Sequence, residues 1–521
     1  MKQAHLTLTG KNLKISDVIA FCDNPSVKIK LHPSCQFAIK KSRKFLNKRA
    51  ETEIIYGVNT GFGPMANRII TLKQLKELQN NLILSHACGM GEPVSQKFVL
   101  ATMIVRLNTL LKGFSGITWE LAEFYARLIN LRIIPLVPEH GAVGTSGDLV
   151  QLSHIALAFL GKGRVFFENT ITPAKKIFSK LKIKPHILQS KEGLALINGT
   201  SFMTGVSVHA LNLSQKLIQL ATITSSWSLE VCGAFNDSID PFLSLARPHG
   251  GQRHISTNMR NILKTSKLLK NRQNSLAQVH LEDHIQAMDH AIQEVYSLRC
   301  ASQILGPILD TIENAKKITE IEMNSATDNP LVDLKGEKFV HGGNFHGDYI
   351  SAAIDNLKAS IVKLTILSER RINFFLNPNI QKNWTPFLNL HTPGLTLALQ
   401  GLQFVATSTT ALSQSMAYPH HLHSISTNGD NQDVVSMGAD GALLASKVIE
   451  NAFVVLSIEV FCLAQATDLL SIKSSLSETT RKLYSEVRSF IPKVLQDRPL
   501  SEELNQLVEY LKERDNIISN S

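Results

Sequence analysis

The stretch GAVGTSGDLVQLSH, from Gly141 to His154, sets three glycines at three-residue spacing around Thr145 and Ser146. Several chemistries use a short glycine-rich loop beside a hydroxyl. A phosphate cradle needs Lys and then Ser or Thr after its last glycine. Here Asp148 follows Gly147, an acid in that place repels phosphate, and the dinucleotide pattern GxGxxG is missing. A nucleophile elbow needs glycine two residues either side of its serine. Ser146 has Gly144 before it but Asp148 after it. The third chemistry uses the backbone. The Gly147 nitrogen attacks the Thr145 carbonyl, two waters leave, and a five-membered ring with an exocyclic methylidene remains. That methylidene-imidazolone is an electrophile made from the chain, and glycine lets its nitrogen approach a carbonyl that a bulky residue would block. From the loop alone, a plain glycine-rich turn is the simpler reading.

Six other stretches stand out. YGVNTGFGPM begins at Tyr56 and contains Gly63; LSHACGMG holds His86; LALINGTSFMTG holds Asn198. QEVYSLRCASQILGP holds Gln293, Tyr296 and Arg299; HGGNFHGDYIS holds Asn344 and Phe345; NGDNQDVVSMG holds Gln432. Each has an ordinary explanation by itself: a tyrosine bonded to a carbonyl, an arginine in an ion pair, an asparagine in a cap or turn. Taken together and in order, from Tyr56 to Gly438, they resemble the aromatic amino acid and histidine ammonia-lyase family, most of all its bacterial tyrosine ammonia-lyases.

The resemblance implies a mainly α subunit with a long central helical bundle and a smaller mixed N-terminal region carrying the prosthetic-group loop, assembled as a homotetramer. Each active site would be lined by more than one subunit. The family removes ammonia from an α-amino acid and leaves an α,β-unsaturated acid. The β-hydrogen is barely acidic and an amine leaves poorly, so a side-chain base alone falls short of the barrier reduction required. A methylidene-imidazolone from Thr145, Ser146 and Gly147 would supply the missing electrophile, with no external cofactor. Tyr56 matches the family's base. Phenols ionise near pH ~10, so such a base needs neighbours that favour tyrosinate, which helix N-termini supply. Arg299 would grip the substrate carboxylate with its planar fork. Asn198 and Asn344 match positions that bond the electrophile's carbonyl or the substrate's polar groups. Gln293, Tyr296 and Phe345 match residues of the site, and Gly63 lets the backbone come close beside Tyr56.

Two positions bear on the substrate side chain. His86 matches a position at the ring end of the substrate, where a histidine suits a phenol hydroxyl or an imidazole. Gln432 stands where histidine-specific members carry a Glu that pairs with imidazole; members acting on phenylalanine or tyrosine carry Gln. The pair favours L-tyrosine, giving p-coumarate, ahead of histidine, giving urocanate, and then phenylalanine. His421 stands where related tyrosine lyases have an aromatic hydroxyl, which counts against that order. Thr145 replaces the usual Ala; some aminomutases of the family also use Thr, and tyrosine or phenylalanine 2,3-aminomutase activity stays open. The Thr145 side chain is expected to point away from the condensing atoms.

The bulk composition agrees. Hydrophobic residues make up 44% and charged residues 19% of 521, a globular balance. The net charge of +11 includes Lys40 to Arg49 and Arg260 to Arg272. Both stretches carry apolar residues at helical spacing and read as solvated helix faces. With 6% aromatics, a basic scaffold stacking on nucleic acid is poorly supplied. Six cysteines without CxxC or CxxH spacing form neither a disulfide framework nor a zinc knuckle, and suit a reduced cytoplasmic setting. His341, His346, His420, His421 and His423 invite comparison with a metal hydrolase, but no HExxH accompanies them, so no metal is expected. No signal peptide is evident, and the apolar run Asn451 to Leu470 holds Glu459 and Asp468, as a buried core helix would. No membrane or nucleic-acid partner is expected, only a small amino acid.

The elements that position these residues are mostly helices. Leu72, Leu75, Leu78, Leu82 and Ile83 share one face, Val99 to Leu111 continues the theme, and Leu149 to Leu160 reads as a helix ended by Gly161 and Gly163. Asp148 sits where an N-cap or first-turn acid would stabilise that helix. Arg164 to Thr172 reads as a hairpin. Long periodic segments run over Ser201–Val231, Leu281–Met323, Phe345–Leu376, Leu395–Ala417 and Gly429–Leu470; Gly250–Asn274 and Tyr418–Asn431 read as loops. Three regions follow: residues 1–200 with the tyrosine and prosthetic loops, 201–480 with the long helices, and 481–521 as a helical tail.

Overall fold

The computed structural model describes residues 5–276, 285, 292–380 and 384–514. The chain is mainly helical, and four helices exceed twenty residues among those described: Ser201–Val231, Ala301–Met323, Asp348–Leu376 and Gly438–Leu469. It divides into two compact units. The first comprises Met1–Asn212, Asn314–Asn356 and Pro419–Ser446; the second comprises Leu213–Glu313, Leu357–Tyr418 and Lys447–Ser521.

The first unit is built around the helix Gln96–Leu110, in which every residue from Val99 onward is buried. Its sequence is apolar on all sides, the pattern of a helix covered all round. Ile15–Asp23 and Trp119–Asn130 pack against it, while Leu75–His86, Leu149–Phe159 and Glu192–Ile197 pack against one another. Small sheets complete the unit. His5–Leu8 pairs in parallel with Lys28–Leu31, and Arg164–Phe167 forms the expected hairpin with Thr170–Pro173. Glu168 and Asn169 both take positive φ at its tip, as a two-residue hairpin turn requires.

In the second unit the long helices pack through apolar faces and a buried polar cluster. Arg371 pairs with Glu459, both buried, and its Nη1 donates to Ser225 Oγ at 2.7 Å. Ser368 Oγ donates to the same Glu459 carboxylate at 2.7 Å, so the pair is satisfied by hydrogen bonds as well as by opposite charge. Glu459 belongs to Gly438–Leu469, the one described helix long and apolar enough to cross a membrane; 89% of its apolar window is buried inside the protein.

Several boundaries differ from those read in the sequence. Gly250–Leu263 is a helix, not a loop: Ile255, Met259, Ile262 and Leu263 form a narrow buried stripe that the polar majority conceals. Its second residue, Gly251, leaves room for the Gly306 carbonyl, which would lie 2.2 Å from an added Cβ. Conversely, the long helices begin later than the apolar pattern. Residues 429–437 are loop, with Asp430 and Met437 at positive φ, and the helix starts only at Gly438. The segment from Phe345 becomes helical at Asp348, and that from Leu395 at Gln400, after Ala398 at positive φ. In Leu281–Met323, residues 281–284 and 286–291 lie outside the described residues; the helix is Ala301–Met323, preceded by the short turn Tyr296–Arg299.

Candidate active site

Gly141, Gly144 and Gly147 all have positive φ, at 140°, 77° and 72°. The last two also lie close against neighbours, Gly147 against backbone that leaves no room for a side chain. A Cβ on Gly144 would sit 2.1 Å from Ser436 Oγ, and one on Gly147 2.0 Å from the Gly199 carbonyl oxygen. Three distant segments grip the loop. Asp148 N donates to Gly199 O at 2.8 Å, Gly347 N to Gly144 O at 3.0 Å, and Met437 N to Val143 O at 3.0 Å. Ser436 Oγ also donates to Gly144 O, at 3.0 Å.

Polar side chains converge on the middle of the turn. Asn198 Nδ2 donates to Ser146 O at 3.0 Å, while Asn198 Oδ1 is buried without a partner. Thr145 Oγ1 donates to Gln432 Oε1 at 2.6 Å, and Gln432 Nε2 donates to Ser146 Oγ at 3.0 Å. The Thr145 hydroxyl is thus engaged with Gln432, a partner that the sequence did not indicate. The turn therefore has a glycine nitrogen with no side chain to obstruct it, a serine hydroxyl held by an amide, and a carbonyl already supplied with a donor. These features suit a methylidene-imidazolone: Asn198 would donate to its carbonyl oxygen, which derives from Ser146.

Asp148 does not cap the helix it precedes. It stands at the N-cap of Leu149–Phe159, but its side chain makes no bond there. Its Oδ2 accepts instead from Phe202 N and Met203 N, both at 2.9 Å, at the start of Ser201–Val231. Complete burial pushes its carboxyl up to about 7, against those two donors, which act to lower it.

Behind the turn, Arg106 is wholly buried and holds backbone carbonyls. Nη2 donates to Asn198 O at 2.8 Å, Nη1 to Thr327 O at 2.8 Å, and Nε to Ala195 O at 3.0 Å. Burial lowers its affinity for the proton from the ordinary guanidinium value, and the nearby Asp328 opposes that. Lys191 and Asp328 form a second buried pair, 2.8 Å apart. Sequence reasoning passed over these residues. The available signal was a charged side chain in the apolar run VLATMIVRLNTLL.

Of the other sequence-derived residues, Tyr56 is partly buried, and its OH accepts from Gly63 N at 3.1 Å. That bond strengthens when the oxygen carries negative charge. Gly63 has φ of 53°, and Phe62 meets the Tyr56 ring edge-on. His86 ends Leu75–His86; its Nδ1 lies 2.9 Å from Leu82 O, which makes Nδ1 the protonated nitrogen and leaves Nε2 as acceptor in the neutral ring. Asn344 is exposed and Phe345 half-buried, in the loop that delivers Gly347 to Gly144. The first unit thus contains Tyr56, Gly63, His86, the turn, Asn198, Asn344, Phe345 and Gln432. Gln293, Tyr296 and Arg299 belong to the second unit. There Gln293 is exposed, Tyr296 is 70% exposed, and the Arg299 guanidinium lies 4.5 Å from the centre of the Tyr296 ring.

The histidines weighed as metal ligands mostly have carboxylate partners. His421 Nδ1 lies 2.7 Å from Asp355, His420 Nε2 lies 3.6 Å from Asp440, and His346 Nδ1 lies 3.3 Å from Asp348. Among the described residues no group of three or more His, Cys, Asp or Glu side chains is arranged to hold a metal ion.

The helical architecture and the glycine turn held by Asn198 and Gln432 agree with the comparisons, which place the chain among carbon–nitrogen lyases. A family model described as aromatic amino acid lyase matches residues 13–489, and the chain belongs to that family of ammonia-lyases and aminomutases. The histidine ammonia-lyase of Bacillus subtilis is 38% identical over 508 residues, covering 97% of this chain and 96% of that one. The tyrosine 2,3-aminomutase of Chondromyces crocatus is 36% identical over 502 residues, covering 95% and 94%. Among solved structures, the tyrosine aminomutase of Streptomyces globisporus superposes with a TM-score of 0.93 at 32% identity, covering 98% of this chain and 97% of that one.

Proposed function

We propose that this enzyme eliminates ammonia from an aromatic L-amino acid, L-histidine giving urocanate or L-tyrosine giving p-coumarate, using a methylidene-imidazolone closed from Thr145, Ser146 and Gly147. The observation that carries the reading is the turn itself: Gly147 pressed onto Gly199, with the Asn198 amide donating to Ser146 O. Once formed, the group supplies an electrophilic carbon that no ordinary side chain offers. Asn198 stabilises negative charge developing on the carbonyl oxygen it already contacts. Tyr56 accepts the β-proton at its phenol oxygen, with the Gly63 N–H supporting the charged form. Arg299 holds the substrate carboxylate by its planar fork. His86 Nε2 accepts from the phenol hydroxyl, and Gln432 offers a neutral amide. On the family resemblance Gln293, Tyr296, Asn344 and Phe345 belong to the same kind of site, assembled from more than one subunit.

We further propose a cytoplasmic homotetramer whose sites are shared between subunits. Phe404, Val405 and Leu412 are exposed on the helix Gln400–Ser415, and Tyr349 is exposed on Asp348–Leu376; such apolar surface suits burial against further copies. The six cysteines are free, which suits a reducing compartment.

Between the two substrates the relatives favour histidine, since most of them, the Bacillus enzyme included, are histidine ammonia-lyases, and an imidazole also fits His86; Gln432 in place of a Glu is what favours tyrosine. The Chondromyces relative and the Streptomyces structure favour a third, return of ammonia to the β-carbon. Incubation with tyrosine, histidine and phenylalanine separately, reading the ultraviolet absorbance of each unsaturated acid and assaying for β-amino acid, tests all three. Urocanate released faster than coumarate overturns tyrosine as substrate. A β-amino acid as main product makes the enzyme a mutase.

A further inference from the structure

Gln432 is tethered to the glycine turn at two points, through the Thr145 hydroxyl and the Ser146 hydroxyl. Its backbone is already fixed. Thr427 N donates to Gln432 O at 3.0 Å and Gln432 N to Thr427 O at 3.2 Å, so only rotation of the side chain remains to be controlled. The ring closure proposed above, on which this inference rests, treats the two tethers differently. A bond forms between Gly147 N and the Thr145 carbonyl carbon. The Thr145 carbonyl oxygen leaves as water with the N–H protons of Ser146 and Gly147. The second water takes Ser146 Oγ, its own proton and the Ser146 Cα proton. One tether is therefore consumed by maturation, and the Thr145 Oγ1 hydrogen bond is the one that survives.

We infer that the Thr145 hydroxyl is a positioning residue for Gln432 in the mature enzyme and thereby a determinant of substrate choice. Thr145 is buried, and its Oγ1 engages Gln432 Oε1, which commits that oxygen to the loop. Nε2, released from Ser146, is then the free end, and it is a donor. A donor fixed beside the substrate ring rewards a side chain that carries an acceptor, a phenol oxygen or an unprotonated imidazole nitrogen, over a bare phenyl. The small aliphatic residue that ring closure alone requires at this position would leave the amide free to rotate.

The test compares wild type with Thr145→Val, Thr145→Ala, Thr145→Ser, Gln432→Ala and the double variant T145V/Q432A, all as full-length protein. Intact mass reports ring closure independently of turnover. KM and kcat are measured for the better of tyrosine and histidine, and for phenylalanine as substrate or competitor. The expected result is a two-water mass deficit in all variants. T145V and T145A should show a KM raised about five-fold for the acceptor-bearing substrate, the scale of one lost hydrogen bond. Phenylalanine binding should stay within about two-fold, since it makes no use of that bond. T145S should restore the preference, and T145V/Q432A should be no worse than Q432A alone. Additive effects in the double variant, or T145V and T145A that keep the wild-type preference, overturn the inference. So does loss of the mass deficit in T145V and T145A alone, which would put Thr145 in ring closure itself. A wild-type protein without the deficit removes the prosthetic-group reading instead, a result none of the variants can mimic.

Discussion

Replacing Asp148 with Asn should change how the stability of this protein depends on pH. The carboxyl is wholly buried, and its proton is held to about pH 7, against an ordinary value of 3.8. The folded state therefore binds that proton more tightly than the unfolded chain does. Stability from this source is complete below the unfolded value and is lost as pH rises through the folded one. Integrated between pH 5 and pH 8, the loss is about 3 kcal/mol, from roughly two pH units of uncompensated proton binding at ~1.4 kcal/mol each. Asn keeps an oxygen for the Phe202 and Met203 amides and cannot ionise. Thermal unfolding of wild type and Asp148→Asn at pH 5, 6, 7 and 8 isolates the effect, because every other titrating group is common to both proteins. The difference in Tm between them should move by several degrees in favour of the variant as pH rises. A difference that is flat with pH would refute the reasoning, and would mean that water or relaxation around the orphaned Oδ1 carries the charge at little cost.

Other outcomes follow from the same contacts. Ser146→Ala should fold and assemble normally, show no two-water deficit and lose nearly all turnover; full activity would defeat the proposed function. Tyr56→Phe should keep the deficit and lose most of kcat, and unchanged turnover would remove Tyr56 from the role of base. His209, buried with its Nε2 3.1 Å from Lys97 O, is held down to about 4 by burial, so the unfolded state gains its proton first as pH falls. Between pH 6.5 and 4 it should cost wild type about 3 kcal/mol, and His209→Gln should flatten that part of the Tm profile.

Local turns and helices were more legible in the sequence than the connections between them. The glycines at 141, 144 and 147 were legible as a special turn, and all three adopt the left-handed backbone that only glycine takes freely. The hairpin from Arg164 and the helix after Leu149 were legible for local reasons, alternation in one and a 3.6-residue period in the other. Gly250–Leu263 escaped notice because its four buried apolar residues in fourteen are diluted by Gly, Gln, Arg, His and Asn, which dominate any compositional impression. The loop at 429–437 was misread in the opposite sense. Val434, Val435 and Met437 look like the first turn of the apolar helix they precede, but their backbone is spent on other bonds: Val435 N on Ser424 Oγ and Met437 N on Val143 O.

What stayed hidden has one physical character: the choice among partners far apart in the chain. Asp148 was recognised as a helix-capping acid, and it is one, but two helix N-termini lie within its reach. The nearer in sequence is Leu149; the one it serves begins at Ser201. Local propensity is nearly silent on that choice, since an Asp suits either start. Thr145 raises the same difficulty, because a hydroxyl beside a tight turn commonly bonds back to its own loop. Its partner here is 287 residues away. A motif states which atoms are available, and packing decides which of them meet. Single-residue substitutions at these two positions therefore discriminate more sharply than changes within the glycines, whose removal would destroy the turn before any question about its partners could be asked.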